Sequence, residues 1–405
     1  MDMKTSLVFA CILSLILALS LSAFGQPTEA WSRNYGGQSS DPGGAVKATS
    51  DGGYVLTGMT YSYGFGRGDL WLVKTDSNGT EQWNKTFGGS NFDIGRSVLQ
   101  TSDGGYIIAG STQSFGAGKS NGWLVKTDRN GTEQWNRTFG GKSTDEATSV
   151  QQTDDGGYIF TGFTSSHKAD GDIWLVRTDS SGYELWNKTF GKKGSDHGWS
   201  VIRAKDGGFV VAGDIDIYVP NNDNPDLSSD TGSDTDAWLI KTDKNGIEQW
   251  NATIKSGMDD SAKSVQQTMD GGFILTGYTK ANLYQDNPIS KVLLSKIEGN
   301  GTVDWRKIID EKSSSGRNEG QAVLQTSGGD YIVAGYTTFY GDSEGDALVL
   351  MIDPKGNVQW IKSFGGQGSQ SADSVQDVNN GGYVIAGNTN QLRGHGIDIW
   401  LMKLE

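Results

Sequence analysis

Along residues 97–139 short apolar runs alternate with polar, glycine-rich breaks. Ser97–Thr101 is short and β-prone, and Asp103-Gly104-Gly105 then turns the chain. Tyr106–Thr112 reads as a second strand, followed by a polar loop over 113–122. Trp123–Thr127 is a third strand. Asp128-Arg129-Asn130-Gly131 is a tight turn whose asparagine and glycine suit positive φ. Glu133–Phe139 is a fourth strand, and Gly140-Gly141 leads into the next unit.

The unit recurs. The double-glycine turn at Asp103 returns at Asp51, Asp155, Asp206, Asp270, Gly328 and Asn380, each followed by an aromatic strand. Neighbouring copies lie 51 to 64 residues apart. Four hairpin-linked strands per period predict a propeller blade, and seven copies predict seven. The expected fold is all-β: a seven-bladed β-propeller of four-stranded antiparallel blades. We label the strands a to d in chain order, a being innermost.

Strand c begins around Trp71, Trp123, Trp174, Trp238, Leu293, Leu348 and Trp400, and strand d carries Trp31, Trp83, Trp135, Trp186, Trp250, Trp305 and Trp360. These positions are expected to pack blade on blade. The chain opens on a d strand, Trp31–Tyr35, and closes on a c strand, Asp398–Lys403. The N-terminal strand should therefore complete the C-terminal blade and close the ring. Residues 26–405 read as one domain with insertions at 214–236 and 280–291 in the b–c loops of blades 4 and 5. The first insertion is acidic and reads as a solvated loop.

Residues 1–25 read as a signal peptide, with Lys4 ahead of an apolar run from Leu7 to Leu21. The only cysteine, Cys11, falls within it, so the mature chain would hold no thiol. A secreted or cell-surface monomer without a transmembrane anchor is expected. Asn78, Asn84, Asn130, Asn136, Asn187, Asn251 and Asn300 are candidate glycosylation sites in that compartment. A net charge of −14 argues against nucleic acid and is compatible with cations, basic proteins or neutral glycans.

Alternating strand direction puts the a–b and c–d turns on one face and the variable b–c and d–a loops on the other. Binding is expected on the variable face. Candidate ligand residues there are Tyr61, Tyr63, Phe65, Phe115, His197, Trp199, Tyr340 and His395, since rings beside polar groups suit sugars or peptides. Five residues before the constant valine of strand a stand Asp41, Asp93, Asp145, Asp196 and Asp260. They form either a cation ring able to take Ca²⁺ or a set of pins that accept backbone N–H bonds. Repetition in nearly every blade favours pins.

A second acidic series precedes strand c at Asp69, Asp172, Asp236, Asp346 and Asp398. His197 beside Asp196 is the best acid–base pair on offer. No enzyme activity and no cofactor are expected. The alternatives are a polysaccharide-active enzyme, glycosidase or lyase, using carboxylates such as Asp196, Asp260 or Glu319, and a purely structural envelope component.

The unit Asp-Gly-Gly-Tyr, then Trp-Leu-Val-Lys-Thr-Asp-x-Asn-Gly, then Gln-Trp-Asn-x-Thr-Phe-Gly-Gly resembles a tandem repeat of secreted proteins of methanogenic archaea and some bacteria. The resemblance covers residues 31–405 and implies a propeller on or near a cell surface. Asp76, Gly79 and Trp83 are similar, at fold level, to quinone-cofactor (PQQ) propeller repeats. They have one residue fewer between Asp and Gly, and the vicinal cysteines of the quinoprotein enzymes are absent. The double glycine with a later tryptophan is also similar to kelch repeats.

Overall fold

The b and c strands carry almost unbroken apolar runs because each blade is covered on both sides by its neighbours. In the computed structural model, Tyr106–Thr112 and Asn121–Thr127 are buried at every residue. The outer strand Glu133–Phe139 is mostly half-exposed. The structure describes residues 26–167, 170–218, 233–281, 289–309, 316–339, 345–378, 382–390 and 396–405. The segment 1–25 and the site candidates Tyr340 and His395 lie outside these residues.

Seven four-stranded antiparallel sheets form the blades, and the innermost strands of consecutive blades touch all the way round, blade 7 against blade 1. Among the described residues no helix is long and apolar enough to cross a membrane. In blade 2, strands b and d have the predicted bounds, whereas a starts at Asp93 and c at Asn121. The two polar starters read as loop in sequence. Both are buried and bonded, which draws them into the ladder.

Ring closure takes the expected form. The opening strand Glu29–Tyr35 pairs antiparallel with Asp398–Leu404, and the finished sheet runs opening strand, c, b, a. The register sets Trp31 opposite Lys403 and Tyr35 opposite Ile399. Tyr35 packs with Val46, Leu56 and Trp71 of blade 1 and with Val384 and Leu401 of blade 7. Its hydroxyl donates to the Gly79 carbonyl at 2.5 Å.

The c–d turn glycine has two reasons to be glycine. Gly131 has φ +77°, and a Cβ there would lie 2.6 Å from the ring of Trp83 on the preceding blade. Trp31, Trp83, Trp135, Trp186, Trp250 and Trp305 are thus each held under the next blade's turn, and Trp83 also meets Tyr106 edge-on at 5.8 Å. The c-strand tryptophans Trp71, Trp123 and Trp174 are about 1% exposed. Their d-strand counterparts are mostly half-buried, with Trp360 at 9%.

The lysine of Trp-Leu-Val-Lys-Thr is a buried staple. Lys126 Nζ reaches Asp103 Oδ2 of the double-glycine turn at 2.9 Å, the Thr127 carbonyl at 2.8 Å and Gln134 Oε1 at 3.0 Å. Lys74, Lys241 and Lys296 repeat this in their own blades, and Arg177 does so in blade 3. Partial burial pushes the Asp51 carboxyl up, but the Thr49 hydroxyl, Lys74 and the Gly53 N–H outweigh it and hold the group at about 2. A carboxyl held down in the fold stabilises it above the ordinary value of 3.8, and this is lost as pH falls towards 2. Asp51→Asn should therefore lower the melting temperature at pH 7 and leave the gap to wild type smaller at pH 2. Thermal scans at the two pH values check this.

The insertions differ from the loops read in sequence. Strands b and c of blade 4 continue to Tyr218 and from Ser233, paired through Tyr218 and Ser233, so both ends of the 214–236 insertion are ladder. In blade 5 the pairing extends to Ala281 and Ile289. Alternation in Asp214-Ile215-Asp216-Ile217 explains the first extension: Ile215 is buried in the core while Asp216 is half-buried.

Candidate functional site: the loop-face mouth of the central channel

The carboxylates of strand a do not converge on a cation. Asp41 is fully buried and accepts from the N–H groups of Gly37, Tyr61 and Ser62 and from the hydroxyls of Thr60 and Ser62. Asp93 and Asp145 make the same bonds with their own loops, at Gly89, Thr112 and Ser114 and at Gly141, Thr164 and Ser166. Asp196 accepts from the Lys192 and Asp216 N–H groups and Asp260 from Ser256. Asp41, Asp93 and Asp145 therefore pin a d–a turn to the b–c loop of their own blade, and Asp196 pins its turn to strand b. Among the described residues no three His, Cys, Asp or Glu side chains are grouped to hold a metal.

The same aspartates join blade to blade through the main chain. The Asp93 N–H donates to the Gly68 carbonyl beside Asp69 at 2.9 Å, and the Asp145 N–H to Ser120 beside Asn121 at 3.0 Å. Burial pushes the Asp196 carboxyl up to about 6, against its two N–H donors, with Asp172 and Asp216 adding to the rise. His197 does not pair with Asp196 as the sequence suggested. Its Nδ1 lies 3.7 Å from Asp214 Oδ2, because the strand turns Asp196 towards its own loops and His197 to the opposite side, against Phe163 of blade 3.

The rim aromatics form a separate group on blades 1 and 2. Tyr63 tilts over Trp71 at 5.5 Å and Phe115 over Trp123 at 5.7 Å, so both cover core tryptophans of their own blades. His167 repeats the contact over Trp174 at 6.3 Å. Tyr61 meets Phe92 edge-on, and Phe65 is 89% exposed. Of the acceptor asparagines, Asn78, Asn130 and Asn300 are exposed in turns. Asn84, Asn136 and Asn251 are tied on both sides, accepting from the c-strand tryptophans and donating to Glu81, Glu133 and Glu248. Asn187 donates to Glu184 in the same way.

Where the blades stop being copies is inside the channel. Strand a carries a β-bulge at one place, with register shifts flanking Gly44, Arg96, Thr148, Trp199, Lys263 and Gln321. Asp373 holds the corresponding place in blade 7, two residues before Val375. The extra residue turns its side chain into the channel, and all seven line one cavity of about 680 Å³. Seven blades thus place seven different residue types on one ring.

The next residue is always serine or alanine, since the innermost strands crowd at the axis. Ser97 and Ser149 accept the N–H of Val150 and Val201 on the following blade. At Gly44 a Cβ would lie 2.7 Å from the Gly95 carbonyl, so blade 1 admits no side chain there. Sequence reasoning found Trp199 but missed its ring. The available signal was the position two before the constant valine, where an otherwise copied repeat never repeats.

One sector of the mouth is a continuous stack. Phe163 and His197 are parallel at 4.7 Å, and His197 and Trp199 at 5.5 Å. Lys263 Nζ sits 3.3 Å above the Trp199 ring and 5.4 Å from Tyr278, and Lys280 Nζ lies 4.1 Å from Tyr278 on the next strand. Asp214 anchors the stack from behind, accepting from Trp199 Nε1 and, at 2.7 Å, from the Ser261 hydroxyl. Burial raises the Asp214 carboxyl, but His197, Lys263, Ser261 and Trp199 together hold it below its ordinary value.

The fold and this channel define the class: the protein is a seven-bladed β-propeller. No protein-family model matches the chain. It is 27% identical over 117 residues to the regulatory protein FlaEY of Caulobacter vibrioides, a match covering 29% of this chain and 12% of that protein. Among solved structures it is similar to the Pan2 WD40 domain of Neurospora crassa (TM-score 0.55, 10% identity, covering 93% of this chain and 95% of that one). The periplasmic gluconolactonase PpgL of Pseudomonas aeruginosa superposes at TM-score 0.53, with 12% identity over 87% of this chain and 95% of that one. YCF48 bound to D1 peptide gives 0.51, with 11% identity over 95% and 98%. These likenesses carry the fold.

Proposed function

We propose that the protein is a secreted or cell-surface binding module, without catalytic activity, that takes a segment of a polypeptide partner into the loop-face mouth of its channel. The observation that carries this reading is the ring at the bulge position of strand a, where six blades present six dissimilar side chains and blade 1 a bare glycine. The bulge residue differs in every blade while the serine or alanine and the valine that follow it stay nearly constant, so the ring offers a ligand different chemistry from each sector. The cavity has the size of a small-ligand or short-peptide site. YCF48, a propeller of the same fold, is a neighbour seen with a peptide bound.

A glycan partner is the second reading, supported by Phe65 and Tyr61 exposed on the rim of blade 1. Of the carboxylates a polysaccharide-active enzyme would use, Asp196 and Asp260 are buried, and Glu319 accepts from the Ser290 hydroxyl at 3.0 Å with Lys280 at 3.9 Å, which gives that alternative little support. The test is a peptide array and a glycan array probed with the mature protein, Trp199→Ala and Phe65→Ala. Binders on the peptide array should weaken at least about tenfold in Trp199→Ala, the usual loss at a central aromatic anchor. Glycan binding sensitive only to Phe65→Ala would move the site to the rim, and peptide binding indifferent to Trp199 would sink the channel reading.

A further inference from the structure

Two cations around the channel have a carboxylate, and Lys47, deeper in, donates to Gln376 Oε1 at 3.3 Å. Arg96 Nη2 lies 3.4 Å from Glu146 and Lys280 Nζ 3.9 Å from Glu319, but Lys263 makes no hydrogen bond or ion pair with any described residue. Its contacts are the faces of Trp199 and Tyr278, which hold an ammonium in place without accepting its N–H bonds. Asp214, the nearest acid to the stack, is already engaged by Trp199, Ser261 and His197. The ammonium therefore keeps N–H donors that no acid claims, with an aromatic wall behind it.

We propose that Lys263 is the seat for a carboxylate of the ligand, with Arg96 as a second cation facing it and the Trp199–His197–Phe163 stack as a platform for the ligand's apolar body. This rests on the binding-module reading and names its ligand class: a carboxylate, borne by an acidic residue of a peptide or by a small free acid. In a chain of net charge −14, an ammonium with no acid partner in the channel is the feature such a ligand would complement. Asp214, Glu319, Lys280 and Arg96 are the charged groups acting on Lys263. Burial pushes its ammonium down to about 8, with Asp214 opposing the fall. Binding of the acid should therefore weaken as pH rises through 8.

The experiment uses a tetrapeptide-amide array printed in paired Glu and Gln versions, with succinate titrated separately by calorimetry. A charge-assisted hydrogen bond of about 1.5–3 kcal/mol predicts a preference for Glu over Gln of about tenfold or more. In Lys263→Met, which keeps the stem packed on Trp199, the preference should fall to about onefold. Succinate binding without Glu preference in the peptides, lost in Lys263→Met, would assign the seat to a small acid. Wild-type protein that ignores the charge, or a preference that survives Lys263→Met, overturns the seat. Trp199-dependent binding of neutral peptides would in that case leave the module reading standing.

Discussion

Deleting residues 26–35 is expected to unfold the ring rather than trim it. The opening strand supplies the outer ladder of the last blade, from Glu29 opposite Leu404 to Tyr35 opposite Ile399. Without it, the Asp398–Leu404 strand becomes an edge with unpaired N–H and C=O groups. Tyr35 and Trp31 also leave the cluster that joins blade 7 to blade 1. Burying an aromatic side chain contributes about 3–5 kcal/mol by truncation measurements. A ladder and two aromatics together approach the whole stability of a typical domain, about 5–15 kcal/mol. The truncated chain should be aggregated or lack a cooperative transition in thermal and urea scans. Restoring the strand by covalent transfer to follow Glu405 should recover the transition, because antiparallel pairing there needs only a hairpin. A truncated chain that melts like wild type would show that closure is dispensable.

The second large effect is expected at Asp41. Substitution by alanine leaves the Gly37 N–H and the Thr60 hydroxyl without an acceptor and takes the better one from the Tyr61 and Ser62 N–H groups and the Ser62 hydroxyl, which keep Ser40, Thr60 and Ser39. Stranding buried donors costs about 1–3 kcal/mol each, less where water can enter, so a loss of about 3–5 kcal/mol is expected. Asp41→Asn should cost about half as much, because an amide oxygen can still accept; Asn318 does so from Thr337 in blade 6. Urea titrations of the two variants give the comparison. Equal losses would mean that charge rather than acceptor geometry holds the loop. If calcium raised the melting temperature of wild type but not of Asp41→Ala, the cation ring would have to be reconsidered.

Much of the architecture was legible because a propeller writes it locally. Strand b of blade 2 has a run of apolar residues bounded by Asp-Gly-Gly and a polar loop, and its bounds came out at Tyr106 and Thr112. The errors cluster where polar residues enter strands. Asp93 and Asn121 read as loop because a lone sequence shows polarity, not the hydrogen bonds that allow such groups to be buried. The extension of blade 4 to Tyr218 was hidden for the same reason, its alternating aspartates having been read as solvated.

The site was less legible. His197 and Trp199 were visible as unusual residues, but Asp214, Lys263 and Tyr278 were not, because nothing local ties them together. A bulge changes which way strand a points its side chains, and no residue type announces a bulge. The pairing of His197 with its sequence neighbour Asp196 failed on this point: adjacent residues in a strand face opposite sides.

The chain by itself determined the repeat, the blade count and the closure of the ring, since hairpins and an offset pair of ends are properties of order along the sequence. Only the tertiary structure decided what stands in the channel. Trp199 and Lys263 meet across two blades because both are displaced inward by the same bulge, and such contacts depend on side-chain direction and curvature that residue spacing does not encode.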